Sequence, residues 1–179
     1  MDFNFTEEQT MIRDSLARLI REQYDFDTRR KVVASKEGWR PKMWSQFAEL
    51  GLLAAPFSEA DGGLGGGPID AMVVMEEFGK GLVVEPFVQT VVCAGGFLKR
   101  GTDAQKAKHL APLIAGERVF AFAYAEPKGR YNLADLETTA KKDGGGYKIS
   151  GHKAVVVGAP WASHLIVTAR TAGGRRDTK

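Results

Sequence analysis

The 179-residue sequence predicts an α+β protein, an all-α N-terminal unit followed by an incomplete β unit. A change of hydrophobic period carries this reading. Up to about position 117 apolar residues recur at helical spacing, and from Val119 onward short runs alternate with period two. Proline and glycine punctuate the first part at helix starts and stops, and glycine punctuates the second part at turns. Hydrophobic residues at 44% and charged residues at 26% are ordinary for a soluble globular chain.

The first helix is predicted from Thr6, because Thr6 followed by Gln9 has the spacing of a capping box. Ile12, Leu16, Leu19 and Ile20 then form one apolar stripe. A shorter helix is expected from Asp27 to Ser35, and a third from Pro41, with Trp44, Phe47 and Ala48 turned inward and Gly51 as its stop. Residues 52–67 read as a loop. A fourth helix opens at Pro68, with Ala71, Val74, Met75 and Phe78 in one stripe that Met72 and Val73 widen, so burial on more than one side is expected. A fifth starts at Pro86 with Val88, Val91 and Val92. A sixth starts at Thr102, whose partner Gln105 repeats the capping-box spacing. Ala107, Leu110, Ala111 and Ile114 are its expected inner face, and Pro112 should kink or tighten it.

In the second part, Tyr147 and Ile149 alternate with Lys148 and Ser150, as in a half-buried strand. Asp143-Gly-Gly-Gly146 reads as a hairpin turn, since glycine supplies positive φ. Ala154–Val157 and Leu165–Ala169 are further expected strands. These are too few to close a barrel or fill a sandwich. The basic segment Gly173–Lys179 reads as an exposed loop at which a domain should not stop, so the sequence is expected to be a shortened one.

Composition excludes several function classes. The net charge of +3 is spread along the chain, apart from Arg29-Arg30-Lys31 and Arg175-Arg176, with no interleaved aromatic ladder, so nucleic acid is not an expected partner. No apolar run approaches a membrane span, and the N-terminus has neither a basic region nor an apolar core of a signal peptide. The expected location is the cytoplasm. A single cysteine, Cys93, excludes an internal disulfide and a cysteine zinc cluster, and it reads as a small buried residue.

Local motifs give no self-sufficient catalytic set. The glycine run 62–67 lacks a preceding strand and breaks the dinucleotide fingerprint at Pro68, and no Gly-Lys-Ser/Thr follows. His109, His152 and His164 do not have metal-ligand spacing, so no metal is expected. Glu76 and Glu77 read as a solvated pair near a helix end.

Several stretches, taken in order, resemble the acyl-CoA dehydrogenase family. They are Phe3-Asn-Phe-Thr-Glu-Glu-Gln9, Gly51-Leu-Leu-Ala-Ala-Pro with Asp61-Gly-Gly-Leu-Gly65, and Met75-Glu-Glu-Phe-Gly79. Gln105–Gly116, Phe120-Ala-Phe-Ala-Tyr-Ala-Glu-Pro127, Gly151-His-Lys153 and Ile166–Arg170 complete the set. The resemblance implies a helical N-terminal domain over 1–117 and a truncated middle domain over 118–179, part of an antiparallel β-barrel or sandwich. The C-terminal helical bundle of the family would be absent. It also implies FAD as cofactor, an acyl-CoA substrate dehydrogenated between its α and β carbons, and electron-transfer flavoprotein or a similar acceptor as partner. The catalytic carboxylate of the family comes from the C-terminal bundle, so no catalytic residue is assigned in this chain.

Departures from the family pattern matter as much as the matches. The family usually reads Thr-Glu-Pro where this chain has Ala125 before Glu126, and an aromatic residue with a Ser or Thr two places on where it has Val155 and Val157. Phe122, Tyr124 and Ala125 are implied as first-strand flavin neighbours, with Val155 and Val157 as degenerate second-strand neighbours. Arg130 stands in for a serine that touches ligand phosphate or CoA. Glu126-Pro-Lys-Gly-Arg-Tyr131 resembles the smaller subunit of heteromeric members such as the pimeloyl-CoA type, which implies a homo- or hetero-oligomer with a related larger subunit. The alternatives are a non-catalytic, flavin-degenerate partner of an active paralogue, and a flavoenzyme of the same fold acting on another substrate such as a nitroalkane.

Overall fold

The computed structural model describes residues 4–177. Phe3, which opens the first motif, and Lys179 lie outside the described residues. The chain divides into two compact units, Met1–Arg118 and Val119–Lys179.

The first unit is helical. α1 (Glu7–Gln23) starts at the Thr6 capping box: Thr6 Oγ1 accepts the Gln9 N–H at 3.2 Å and Gln9 Oε1 accepts the Thr6 N–H at 3.1 Å. α2 (Phe26–Ala34) is capped by the Asp25 carboxylate, which takes the N–H groups of Asp27 and Thr28. α3 (Pro41–Glu49) buries Met43, Trp44 and Phe47. α4 (Pro68–Gly81) packs along α1, and its first turn is held by Asp70, whose Oδ2 accepts the Gly67 N–H at 2.7 Å. The core gathers Leu16, Trp44, Phe47, Leu52, Leu53, Val73, Val74, Phe87, Val91, Leu110 and Leu113. At its centre the Phe78 ring sits 4.8 Å from Phe47 and 5.3 Å, edge to face, from Phe87.

The glycine-rich loop owes its composition to close packing. A Cβ on Gly63 would lie 2.2 Å from the Phe57 carbonyl oxygen, and one on Gly66 would lie 2.1 Å from that of Ala55. Lys106 anchors the loop through a 2.7 Å ion pair with Asp61.

Five expectations for this unit are corrected. Met72 is half-exposed, and the buried face of α4 is Val73, Val74, Glu77 and Phe78. Glu77 is therefore no solvated partner of Glu76: it is buried, and its charge is met by Lys80 at 2.6 Å. Cys93 is exposed. It lies on the π-helical stretch Val88–Gly95 that runs into α5 (Gly96–Leu98), where wider turns rotate Val88, Val92 and Cys93 outward and leave Thr90, Val91, Ala94 and Gly95 inside. Ala107 and Ala111 are exposed too. Between α6 (Asp103–Gln105) and α7 (Ala111–Ile114) the stretch Lys106–Leu110 is also π-helical, which shifts the buried face to Leu110 and Leu113.

The second unit holds two small sheets. β1 (Phe120–Ala123) pairs with β4 (His164–Val167), Phe120 opposite His164 and Ala123 opposite Val167. The pair is parallel, which corrects the antiparallel expectation for these strands. Residues 124–163 form the long crossover that parallel pairing requires. β2 (Thr139–Asp143) and β3 (Gly146–Ser150) form an antiparallel hairpin with Asp143 opposite Gly146, and Gly144 supplies φ +57° in the two-residue turn. Neither sheet is closed.

Tyr147 and Ile149 are exposed rather than half-buried, because no described residue packs over their face of the hairpin. Ala154–Val157 is not a strand. Val155 turns into the left-handed region at φ +53°, and local geometry overrides the β preference of a valine run. The segment after Gly173 is not a free basic loop. Arg175 and Arg176 both pair with the buried Asp135, and Arg170 Nη2 donates to the carbonyls of Ala134 and Arg175.

Candidate functional site

β1 ends at Ala123, so Tyr124 and Ala125 lie just past the strand and only Phe122 lies within it. The Phe122 and Tyr124 rings are 6.0 Å apart and tilted by 50°. The Ala125 carbonyl accepts the Ala154 N–H at 3.0 Å, and this bond sets the residues implied as first-strand and second-strand neighbours side by side. Tyr124, Val155 and Val157 then stand 50%, 86% and 57% exposed. That bond sets the Ala125 and Ala154 segments side by side, flanked by the exposed side chains of Tyr124 and Val155. Arg130 sits in the turn after Pro127 at φ +47°, exposed, with no hydrogen bond or ion pair to its guanidinium among the described residues.

Next to Ala125 and Ala154 in the chain lies a polar hub, Glu126 with Lys153, that the motif reading did not single out. Glu126 Oε2 accepts the Glu137 N–H at 2.6 Å, and Oε1 accepts the Thr138 N–H and the Lys153 ammonium, each at 2.9 Å. Lys153 Nζ also donates to Thr168 Oγ1 at 2.9 Å and to the Tyr124 carbonyl at 3.4 Å. Both side chains are nearly enclosed, 10% exposed for Lys153 and 5% for Glu126. Burial disfavours the Glu126 carboxylate, yet hydrogen bonds from Thr138, Glu137 and Lys153 overcome it and hold the pKa at about 2. The residue types stand in the sequence, a lysine followed at once by Ala-Val-Val-Val and a glutamate between an apolar strand and Pro127, but not their pairing.

These positions suit a flat, partly polar ring system. Their side chains offer apolar contact but no hydroxyl at 125, 155 or 157. The N–H groups of Ala125, Val155 and Val157 take no backbone acceptor among the described residues, which leaves three donors without a backbone partner. The first unit has a separate cleft of about 340 Å³, whose lining includes Met75, Phe78, Val83, Val84, Phe87 and Val88.

Two family models match consecutive parts of the chain, acyl-CoA dehydrogenase N-terminal domain over residues 6–117 and acyl-CoA dehydrogenase middle domain over 121–179. The chain belongs to the acyl-CoA dehydrogenase family. A probable acyl-CoA dehydrogenase of Bacillus subtilis is 31% identical over 184 residues, which cover 100% of this chain and 47% of that protein. Among solved structures, the FAD complex of PigA is similar with a TM-score of 0.83 at 26% identity, covering 98% of this chain and 46% of that one. The ChsE4–ChsE5 complex from Mycobacterium tuberculosis is similar with a TM-score of 0.82 at 26% identity, covering 95% and 44%. The chain spans about half the length of the curated relatives it matches. Among its described residues no helix is long and apolar enough to cross a membrane.

Proposed function

We propose that the full-length protein is a flavin-dependent acyl-CoA dehydrogenase that introduces an α,β double bond into an acyl-CoA thioester, as one subunit of an oligomer with a larger relative. The observation that supports this most is the Ala154–Ala125 bond, which sets the two implied segments side by side, with exposed Tyr124, Val155 and Val157 and three N–H groups that take no backbone acceptor, on a chain of this family. In this reading residues 1–117 are the N-terminal domain and 118–179 the first part of a middle β-barrel or sandwich domain that a C-terminal helical bundle completes.

Bound FAD would supply the hydride acceptor. The chain's own residues do the holding. Phe122 and Tyr124 offer aromatic contact, and Ala125, Val155 and Val157 offer backbone donors, which survive every side-chain substitution except proline. Arg130 meets a phosphate of the cofactor or of CoA, as a charged donor with no other partner suits. The carboxylate that removes the α-proton comes from outside these residues, and electrons pass to electron-transfer flavoprotein or a similar acceptor.

A second reading has its own observation. Ala125 and Val157 lack the hydroxyls usual in the family, which favours a flavin-degenerate subunit that supports an active paralogue. The visible absorbance of the full-length protein, purified alone and with its larger relative, separates the two. A flavin band in the protein alone supports the first reading. A band only in the complex, in proportion to the relative, supports the second.

A further inference from the structure

Lys153 has three N–H donors, and the structure gives them three acceptors, Glu126 Oε1, Thr168 Oγ1 and the Tyr124 carbonyl. It therefore has no donor left for a ligand. Its acceptors lie just past the C-terminal end of β1 and of β4, so one ammonium ties together chain segments 29 and 15 residues away. Glu126 extends the tie to the start of β2 through the N–H groups of Glu137 and Thr138. The hub is closely packed on the side of Gly151. A Cβ on Gly151 would lie 2.3 Å from Thr138 Oγ1.

The outcome is visible two residues further on. Val155 is β-branched, exposed and left-handed, a conformation that side chains of this shape avoid. Such strain persists only where the surroundings over-determine it. Immediately before Val155, Lys153 is pinned at three points and Ala154 is bonded to Ala125. Shortly after it, the Ala159 N–H closes a turn on the Val156 carbonyl at 3.1 Å. With both flanks fixed, the chain at 155 turns into the left-handed region next to the Ala154–Ala125 bond, and the N–H groups of Ala125, Val155 and Val157 take no backbone acceptor among the described residues.

We infer that Lys153, through its ion pair with Glu126, is a positioning residue that sets the backbone of Ala125 and Val155–Val157 for the flavin without contacting the cofactor. This rests on the flavin reading above. The charge matters because a neutral side chain cannot satisfy a buried carboxylate and two further acceptors at once. Arginine can reach the same groups and retain the charge.

The test uses full-length apoprotein titrated with FAD, read by quenching of FAD fluorescence, with circular dichroism reporting the fold. Lys153→Met is expected to weaken FAD binding by about tenfold or more, and Lys153→Arg to recover it to within about threefold of wild type. At saturating FAD, the visible band and midpoint potential of the bound flavin are expected to shift in Lys153→Met and not in Lys153→Arg, which a merely structural lysine would not produce. Thr168→Val removes one acceptor with little change of shape and is expected to weaken binding several-fold, so it decides the matter if Lys153→Met does not fold. A folded Lys153→Met or Thr168→Val with wild-type FAD affinity overturns the positioning role alone. A wild-type protein that never quenches FAD overturns the flavin reading, and the positioning role falls with it.

Discussion

The hydroxyl of Tyr24 donates to Glu85 Oε2 at 2.8 Å, joining residues 61 apart in the sequence. The Tyr24 hydroxyl oxygen accepts the Val84 N–H at 3.0 Å, and the Arg40 guanidinium lies 4.5 Å over the Tyr24 ring. Arg40 also donates its backbone N–H to Glu85 Oε1 at 3.3 Å. This buried cluster locks the end of α1, the start of α3 and the segment after α4. Burial, with Glu85 adding to it, pushes the Tyr24 hydroxyl pKa well above the ordinary tyrosine value.

Tyr24→Phe strands both the Val84 N–H and one Glu85 oxygen. A loss of ~1–3 kcal/mol is expected from the unsatisfied buried groups, measured as a lower urea midpoint at unchanged slope. The sign of the pH effect follows from the raised value. The contribution is complete below the unfolded tyrosine pKa and falls as pH rises beyond it, so wild type and variant should converge only in strong alkali.

Pro112 has no N–H to give the Lys108 carbonyl, and the Arg118 guanidinium takes that carbonyl at 2.6 Å. Arg118→Ala should cost ~0.5–1.5 kcal/mol in the wild-type background. It should cost less beside Pro112→Ala, where the restored N–H competes for the same oxygen. A double-mutant cycle in urea measures the coupling, and purely additive losses would refute the link.

The helical half was legible because capping boxes and apolar stripes are local signals. Thr6–Gln9 and Thr102–Gln105 both form as their spacing predicts. What escaped was the wider π-helical winding around Cys93 and Ala107, because a change of helical period leaves composition untouched. In the second unit the alternation at Tyr147 and Ile149 indicates a strand but not what covers it. Val155 departs from the β propensity of its residue type at φ +53°, close to a lysine held by Glu126, Thr168 and the Tyr124 carbonyl, partners far away in the sequence. Of the candidate site, the Ala154–Ala125 bond places the two implied segments next to each other, but the Glu126–Lys153 hub depends on long-range pairing that no short motif encodes.

Glu126 makes stability depend on acid. Its pKa of about 2 lies below the ordinary 4.5, so the folded state favours the carboxylate. Its contribution is complete above the unfolded value and drains away as pH falls from about 4.5 towards 2. The full swing is at most ~3 kcal/mol. Thermal melts across that range should show a slope that Glu126→Gln flattens. An unchanged slope would mean that other carboxylates carry the acid sensitivity.

Val155→Gly should leave stability level or raise it by up to ~1 kcal/mol. Relief of the left-handed strain, ~1–2 kcal/mol, outweighs the added freedom of the unfolded chain, and the 86% exposed side chain gives up little burial. Val155→Ala retains a Cβ and should gain less. Melting temperatures of the three proteins rank the outcomes, and a clear loss in Val155→Gly would show that the valine side chain itself stabilises the fold.

Val157→Thr tests the flavin reading from the side of a missing hydroxyl. The family usually has Ser or Thr here, and threonine keeps the β-branched shape. Had Val157 been buried, an unpaired hydroxyl would cost ~1–3 kcal/mol and stability would report on the site. Val157 is 57% exposed, so the new hydroxyl stays wetted and the melting temperature should hardly move, within about 0.5 kcal/mol of wild type. Ligand affinity then has to carry the answer. If FAD lies against this surface in the full-length protein, one added hydrogen bond is worth ~0.5–1.5 kcal/mol, a few-fold tighter dissociation constant. Val157→Ile adds bulk without a donor and should not tighten binding. Equal FAD affinity in the threonine, isoleucine and wild-type proteins would place the flavin elsewhere, or in the partner subunit alone.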